Sequence, residues 1–287
     1  MATPGFYVLR SDWEKAPRPL ARDQVLFAIG DVHGHADHLS ALHRVLRAEI
    51  ASLNEEVGVT VVRLGDYIDR GPDPLGTIDL AIKGLGLARV REVNLEGNHE
   101  RYFFNIAVNP ETDLAFLNFF IDNGGISTLA QCGVRLAELY RLDMAEIRAR
   151  VVQGLGSERM AFLESLALTH RVGDYLCVHA GINPERPLDD QDDYEQLTIR
   201  EKFLYPEKGW NHDVTVVHGH SISAPVATAH RIGVDTGAFL SGALTAVQVQ
   251  GDRLRFLTVV DRETETSQIR IIRDDARRRY APAVPIL

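Results

Sequence analysis

Five short apolar runs in this 287-residue chain each end in side chains that can hold a cation or a phosphate. Val61-Val62-Arg63-Leu64 leads into Gly65-Asp66-Tyr67-Ile68-Asp69-Arg70-Gly71. Val25 to Ile29 leads into Gly30-Asp31-Val32-His33-Gly34, and Val90 to Leu95 into Glu96-Gly97-Asn98-His99-Glu100. Tyr175 to Val178 is followed by His179-Ala180-Gly181, and Val214 to Val217 by His218-Gly219-His220-Ser221. One such junction is ordinary turn chemistry, because turns favour Gly and Asp. Five of them imply a shared site, since ligands in α/β sheets bind where strands end.

The donors at these junctions are Asp31, His33, Asp66, Asn98, His179 and His220. Carboxylate, amide and imidazole together suit manganese, iron or zinc better than magnesium or calcium, which prefer all-oxygen shells. Two divalent ions fit if one carboxylate bridges them. Asp66, on the central strand, is placed to bridge them. Asp31 and His33 at alternate positions would serve one ion, and Asn98, His179 and His220 the other. In His218-Gly219-His220 either imidazole could face the metal. His99 could protonate a leaving alkoxide, with Asp69 to orient it, and Arg70 offers a fork of donors to phosphate oxygens. His35, His38, His43, His170, His212 and His230 are read as structural or surface groups. The acidic run Asp189 to Glu195 is read as a solvated loop. If that loop bordered the site mouth, its carboxylates would disfavour a highly charged polyphosphate.

These donors need strands and helices to hold them. Val25–Ile29, Val59–Leu64 and Arg89–Leu95 read as strands. His38–Ser52 carries Leu39, Leu42, Val45, Leu46 and Ile50 on one helical face, and Pro74–Lys83 opens with a proline. Alternating strands and helices predict a parallel α/β core. A mainly helical insertion is expected at about 101–170, with helices over Arg101–Ala107, Leu114–Asp122 and Met144–Val152. Asn123-Gly124-Gly125 breaks it as a turn, and Ser157 caps a last helix through Leu168. Strands return at Tyr175–Val178, Val214–Val217, Ile232–Asp235, Leu244–Gln250 and Leu254–Val260. The last two form a hairpin at Gln250-Gly251-Asp252, and this late antiparallel run suggests a second sheet packed on the first. Met1–Asp23 reads as an irregular arm, and the tail with Arg277-Arg278-Arg279 as surface. Neither repeats nor a linker between two domains are evident, so residues 1–287 are read as one catalytic domain.

Composition fits an ordinary globular protein, 45% hydrophobic and 25% charged. The net charge of −9 argues against a nucleic-acid partner. Two cysteines, Cys132 and Cys177, make no disulfide framework, and Cys177 reads as core. Charged residues from Arg10 to Arg18 interrupt any signal-peptide pattern, and no apolar run would span a membrane. A soluble cytoplasmic protein is expected; its oligomeric state is left open.

The three motifs Gly30–Gly34, Gly65–Gly71 and Gly97–Glu100 resemble, in order, the signatures of the phosphoprotein phosphatase family of calcineurin-like metallophosphoesterases. The chain is most similar to its bacterial and phage-type serine/threonine phosphatases, from about Val25 to about Val260. The resemblance implies an α/β fold in which two mixed β-sheets pack as a sandwich flanked by helices. It implies Asp31, His33 and bridging Asp66 on one metal, and Asp66, Asn98, His179 and His220 on the other, choosing His220 over His218. It implies His99 as general acid with Asp69 as its partner, and Arg70 as a phosphate-binding arginine. Ile199-Arg200-Glu201 resembles the segment bearing a second such arginine, Arg200, and Asp235–Ala238 a late motif read as structural. His179-Ala180-Gly181 departs from the eukaryotic His-Gly-Gly and resembles bacterial forms. The implied reaction is in-line attack by a metal-bridging hydroxide on a phosphate monoester, with phosphoserine or phosphothreonine in a protein, or a small phosphoester, as substrate. A dinucleoside polyphosphate hydrolase is the alternative. A binding module that has lost catalysis is a third reading, which the full set of donors disfavours.

Overall fold

The computed structural model describes residues 5–261, 280–281 and 284–286. The chain opens with strands β1 (Phe6–Arg10) and β2 (Glu14–Lys15). Strands and helices then alternate: β3 (Gln24–Ile29), α1 (Ala36–Ala51), β4 (Gly58–Arg63), α2 (Pro74–Lys83) and β5 (Val90–Asn94). Four helices follow, α3 (Asn98–Val108), α4 (Leu114–Phe120), α5 (Ile126–Gln131) and α6 (Met144–Ser165). Next come β6 (Thr169–Val172), β7 (Tyr175–Val178), α7 (Asp193–Thr198), α8 (Glu201–Leu204), β8 (Thr215–His218), β9 (Val226–Ala227) and β10 (Arg231–Gly233). The last elements are α9 (Ala238–Ser241), β11 (Ala243–Gln250), β12 (Arg253–Asp261) and β13 (Val284–Ile286).

Two mixed sheets result. The first runs β13-β1-β12-β11-β3-β4-β5, with β2 paired to β12, and the second runs β6-β7-β8-β10-β9. Within them β3, β4 and β5 are parallel, as are β7, β8 and β10. Side chains alternate across each strand, and β3 shows the consequence. Val25, Phe27 and Ile29 pack outward on Leu39, Leu42, Val45 and Leu46 of α1. Leu26 and Ala28 point the other way, into a core between the sheets with Tyr175, Cys177, Val217, Ile232 and Phe256. The far face of the second sheet buries Val178, Val214 and Val216 against Ile199 and Phe203. The order of layers is helix, sheet, sheet, helix. A further core joins α2 and the Tyr67-Ile68 turn to the four-helix segment through Phe103, Phe120, Leu129, Ile147 and Val151.

Several expectations need correction. Part of the presumed irregular arm is β1, antiparallel to β12 with Phe6 opposite Asp261. Its buried Phe6 and Val8 alternate with half-buried Tyr7. The β11–β12 hairpin does not build a second sheet: β11 pairs with β3, so the hairpin extends the first sheet. The second sheet comes instead from β6 to β10. Helices do lie on either side of Ser157 as expected, since α6 breaks at Gly156, whose φ of 72° is non-helical, but the second one ends at Ser165 rather than Leu168. Residues 169–172, at the end of the expected insertion, are strand β6. Of the tail, Val284–Ile286 is an edge strand on β1, while Arg277-Arg278-Arg279 lies outside the described residues. Among the described residues no helix is long and apolar enough to cross a membrane.

Candidate metal centre

The parallel strands of each sheet deliver their C-terminal loops to one place. Asp31 follows β3, Asp66 follows β4 and Asn98 opens the helix after β5, while His179 follows β7 and His220 follows β8. Asp66 stands between two groups. Its Oδ2 is 3.5 Å from His33 Nε2 and 4.0 Å from His99 Nε2, and its Oδ1 is 3.4 Å from His179 Nε2. Donor atoms of His33, Asp66 and His99 cluster within 4.8 Å of one another, as do those of Asp66, His179 and His220. Asn98 Oδ1 joins the second group, 3.0 Å from His179 Nε2. Both groups could hold a cation, and Asp66 belongs to each.

The backbone is strained where these side chains start. His33, Asp66, Asp69, Arg70 and His220 are the non-glycine residues with positive φ among those described, between 47° and 71°. Such conformations cost energy and persist only when neighbours fix them. Glu100 does so for the Asp66 turn. Its carboxylate accepts N–H groups from Asp66 (2.7 Å), Tyr67 (2.8 Å), Ile68 (3.2 Å) and Gly97 (3.0 Å). Gly97 must be glycine, because a Cβ there would lie 2.1 Å from Asp66 Oδ1.

Second contacts orient the imidazoles, as is usual for metal-binding histidines. His33 Nδ1 lies 2.9 Å from the Ile68 carbonyl, and His179 Nδ1 lies 2.8 Å from that of Leu64. Each pairing leaves Nε2 facing the site. His99 Nδ1 is 2.6 Å from Asp69 Oδ2, and the Thr128 hydroxyl holds the other Asp69 oxygen. Arg70 Nη1 and Nη2 lie 2.7 Å and 3.0 Å from His33 Nε2 and His99 Nε2. Asp31 is placed differently from its neighbours. It falls in neither donor group, and its carboxylate accepts the backbone N–H of His220 at 3.0 and 3.2 Å.

His220 and His218 part company. His220 packs 5.0 Å from the His179 ring, whereas His218 lies against Phe203 with its Nε2 3.4 Å from Arg231. Of the other histidines, His35 Nδ1 contacts the His33 carbonyl, His38 the Gly242 carbonyl, and His43 is an acceptor for Arg63. His170 is half-buried on β6, and His212 and His230 pack on Trp210.

Electrostatics follow the layout. Burial alone would raise the Asp66 pKa, but the imidazoles of His179, His99 and His33 outweigh it and hold Asp66 well below the usual range. Burial, with Asp235 and Asp66 close by, pushes Asp31 well up. Burial also moves Asp235 up to about 6 and His220 down to about 2, His179 adding to the latter. A neutral His220 keeps a lone pair for a cation.

Above these groups is a cleft of about 450 Å³, lined by Arg70, Arg200, Tyr102, Tyr194, Ile222 and Phe239 among others. Arg200 is exposed at its edge. The five carboxylates of the acidic run do not line it. Asp192 caps α7 through the Glu195 N–H, Glu195 accepts from Asn183, and Asp189, Asp190 and Asp193 are exposed. The sequence reading missed Tyr102, Thr128 and Phe239. Tyr102 was within reach, because it sits one helical turn after Asn98 and shares that face. Thr128 and Phe239 carry no signal beyond that of ordinary packing residues.

A family model described as calcineurin-like phosphoesterase matches residues 25–238. The chain is 28% identical over 160 residues to a symmetrical bis(5′-nucleosyl)-tetraphosphatase of Methylococcus capsulatus. That stretch is 55% of this chain and 44% of the relative, so the match spans less than half of the relative's length. A crystal structure of a candidate diadenosine tetraphosphatase superposes with a TM-score of 0.54 at 21% identity, covering 84% of this chain and 95% of that one. A serine/threonine phosphatase of Saccharomyces cerevisiae gives 0.46 at 16% identity, over 86% and 82%. At 21% identity the likeness to the first of these structures is one of fold.

Proposed function

The chain belongs to the calcineurin-like phosphoesterase family, whose members hydrolyse phosphoesters, and within it we propose a phosphatase acting on phosphate monoesters, phosphoserine and phosphothreonine in proteins first among them. The observation that carries this reading is Asp66, one carboxylate facing two donor groups with Arg70 beside it. The donor set fits two divalent cations, manganese first and iron or zinc as alternatives. Asp31, His33 and Asp66 would hold one; Asp66, Asn98, His179 and His220 would hold the other. Bound there, the cations supply Lewis acidity at the phosphoryl oxygens and a water made acidic enough to attack at neutral pH.

The protein groups do the rest. Arg70 and Arg200 bind phosphoryl oxygens from the cleft side. Asp69 takes the Nδ1 proton of His99 as a hydrogen bond, so Nε2 is the atom that hands a proton to the leaving oxygen. Thr128 holds Asp69 in turn. The helices at about 101–170 act as an insertion in one catalytic unit, because their core is continuous with α2 and the Tyr67-Ile68 turn.

A second reading, hydrolysis of dinucleoside polyphosphates, is favoured by the name of the relative from Methylococcus capsulatus. Initial rates on a phosphopeptide and on a dinucleoside tetraphosphate, with manganese added to chelator-stripped protein, separate the two. A higher kcat/KM for the phosphopeptide is expected. Preference for the tetraphosphate would establish the second reading, and failure on every phosphoester would remove both.

A further inference from the structure

Phe239 carries no charge and follows the Asp235–Ala238 turn, yet it lies under the phosphate-facing arginine. The guanidinium carbon of Arg70 sits over the Phe239 ring, 4.4 Å from its centroid. The same ring meets His33 edge-on at 5.2 Å. Arg70 also rests on the turn between α4 and α5. Its backbone N–H donates to the Gly124 carbonyl at 3.0 Å and its Nε to the Asn123 carbonyl at 3.4 Å. Gly124 has a φ of 100°, and a Cβ there would come within 2.6 Å of Arg70 Cγ. The helical segment therefore leaves a slot shaped to the arginine stem.

The remaining partners of Arg70 are conditional. Its two terminal nitrogens face His33 Nε2 and His99 Nε2. A cation that takes the His33 lone pair removes that acceptor and repels the guanidinium. A long, exposed side chain freed in this way would spread over many rotamers. The ring of Phe239 needs no lone pair from either histidine, and a π face attracts a guanidinium whether or not the metal is bound.

We propose that Phe239 is a positioning residue: its ring, together with the Asn123-Gly124 turn, keeps Arg70 aimed into the cleft when His33 is engaged by a cation. This rests on the reading of the site as a phosphate-binding metal centre. The role is in binding the phosphoryl group, so it acts on KM and phosphate affinity more than on kcat.

The test uses manganese-loaded protein, calorimetric titration with inorganic phosphate, and kinetics on p-nitrophenyl phosphate. Phe239→Leu should weaken phosphate binding and raise KM by about three- to tenfold, with kcat changed less than about twofold. Phe239→Tyr, which keeps the π face, should restore both. In an Arg70→Ala background, Phe239→Leu should have no further effect, as a double-mutant cycle requires of a residue acting through its partner. Unchanged phosphate affinity in Phe239→Leu overturns the proposal. So does an equal loss in the Arg70→Ala background, because the ring would then act on the ligand or the fold directly. Wild-type protein that binds neither manganese nor phosphate would overturn the reading of the site, and the Phe239 role with it; wild-type binding with an indifferent Phe239 sinks only the latter.

Discussion

His99 Nδ1 lies 2.6 Å from Asp69 Oδ2, and this contact decides which nitrogen of the ring faces the cleft. With Nδ1 committed to Asp69, only Nε2 can exchange a proton with substrate. His99→Asn should therefore slow hydrolysis of an alkyl phosphate, a poor leaving group, by ~10²–10⁴-fold. The loss on p-nitrophenyl phosphate should be far smaller, since that leaving group needs no proton. Equal losses on both substrates would point to a metal-ordering or structural role for His99.

Asp66 faces the two donor groups through different oxygens, Oδ2 toward His33 and Oδ1 toward His179. A neutral amide offers one oxygen and no charge, so Asp66→Asn should impair both cation sites together. Metal analysis after dialysis against manganese is expected to show well under one ion per chain, with activity lost in parallel. A variant that keeps two ions and full turnover would rule out the shared carboxylate.

Glu100 accepts four backbone N–H groups around the strained Asp66 turn. Glu100→Gln keeps the shape but replaces one acceptor with a donor that faces those N–H groups. Leaving buried donors unsatisfied costs about 1–3 kcal/mol, so the variant should melt several degrees lower. Because the turn carries Asp66, manganese affinity should fall as well. Lower melting with unchanged metal affinity would confine Glu100 to the stability of the fold.

The strand-end donors were legible because each motif is local: a few residues encode both the turn and the ligand. The apolar run of β3 and the helical face of α1 were legible for the same reason. What escaped depends on distant chain. Phe6–Arg10 becomes a strand because β12, some 250 residues later, offers an edge to pair with. The β11–β12 hairpin joins the first sheet because β3 takes it, and no local pattern names that partner. Thr128 and Phe239 look in sequence like any packing residue, and only the fold brings them to Asp69 and Arg70.

His43 gives a stability prediction away from the site. It is buried beside Arg63, whose Nη2 lies 3.0 Å from its Nε2, and burial with that guanidinium lowers its pKa to about 2. Unfolded, the imidazole titrates near 6.5. Between these values the unfolded chain binds a proton that the folded chain does not, so stability rises with pH across this window. It is intact above pH 6.5 and falls by at most ~1.4 kcal/mol per unit as pH drops below it. His43→Gln retains an acceptor for Arg63 and cannot titrate. Urea midpoints at pH 7.5, 6 and 5 should fall less steeply for the variant than for wild type. Parallel slopes would remove His43 from the acid response.

The acidic run gives the last prediction, and here the structure agrees with the solvated loop rather than with a border on the site mouth. Asp192 is committed to capping α7 and Glu195 to Asn183, while Asp189, Asp190 and Asp193 are exposed and absent from the cleft lining. What α7 and the residues after it contribute to the cleft is Tyr194, Thr198 and Arg200. Exposed carboxylates are screened over ~8 Å at physiological salt. Neutralising Asp189, Asp190 and Asp193 to asparagine, with the cap and the Asn183 contact left intact, should therefore leave the ratio of kcat/KM for a dinucleoside tetraphosphate to that for a basic phosphopeptide unchanged at physiological salt. Arg200→Ala should lower kcat/KM for both substrates, because it removes a cation from the cleft lining that either phosphate would meet. If the triple variant gains on the tetraphosphate alone, and that gain vanishes in high salt, the loop's field reaches the cleft and substrate choice is partly electrostatic after all.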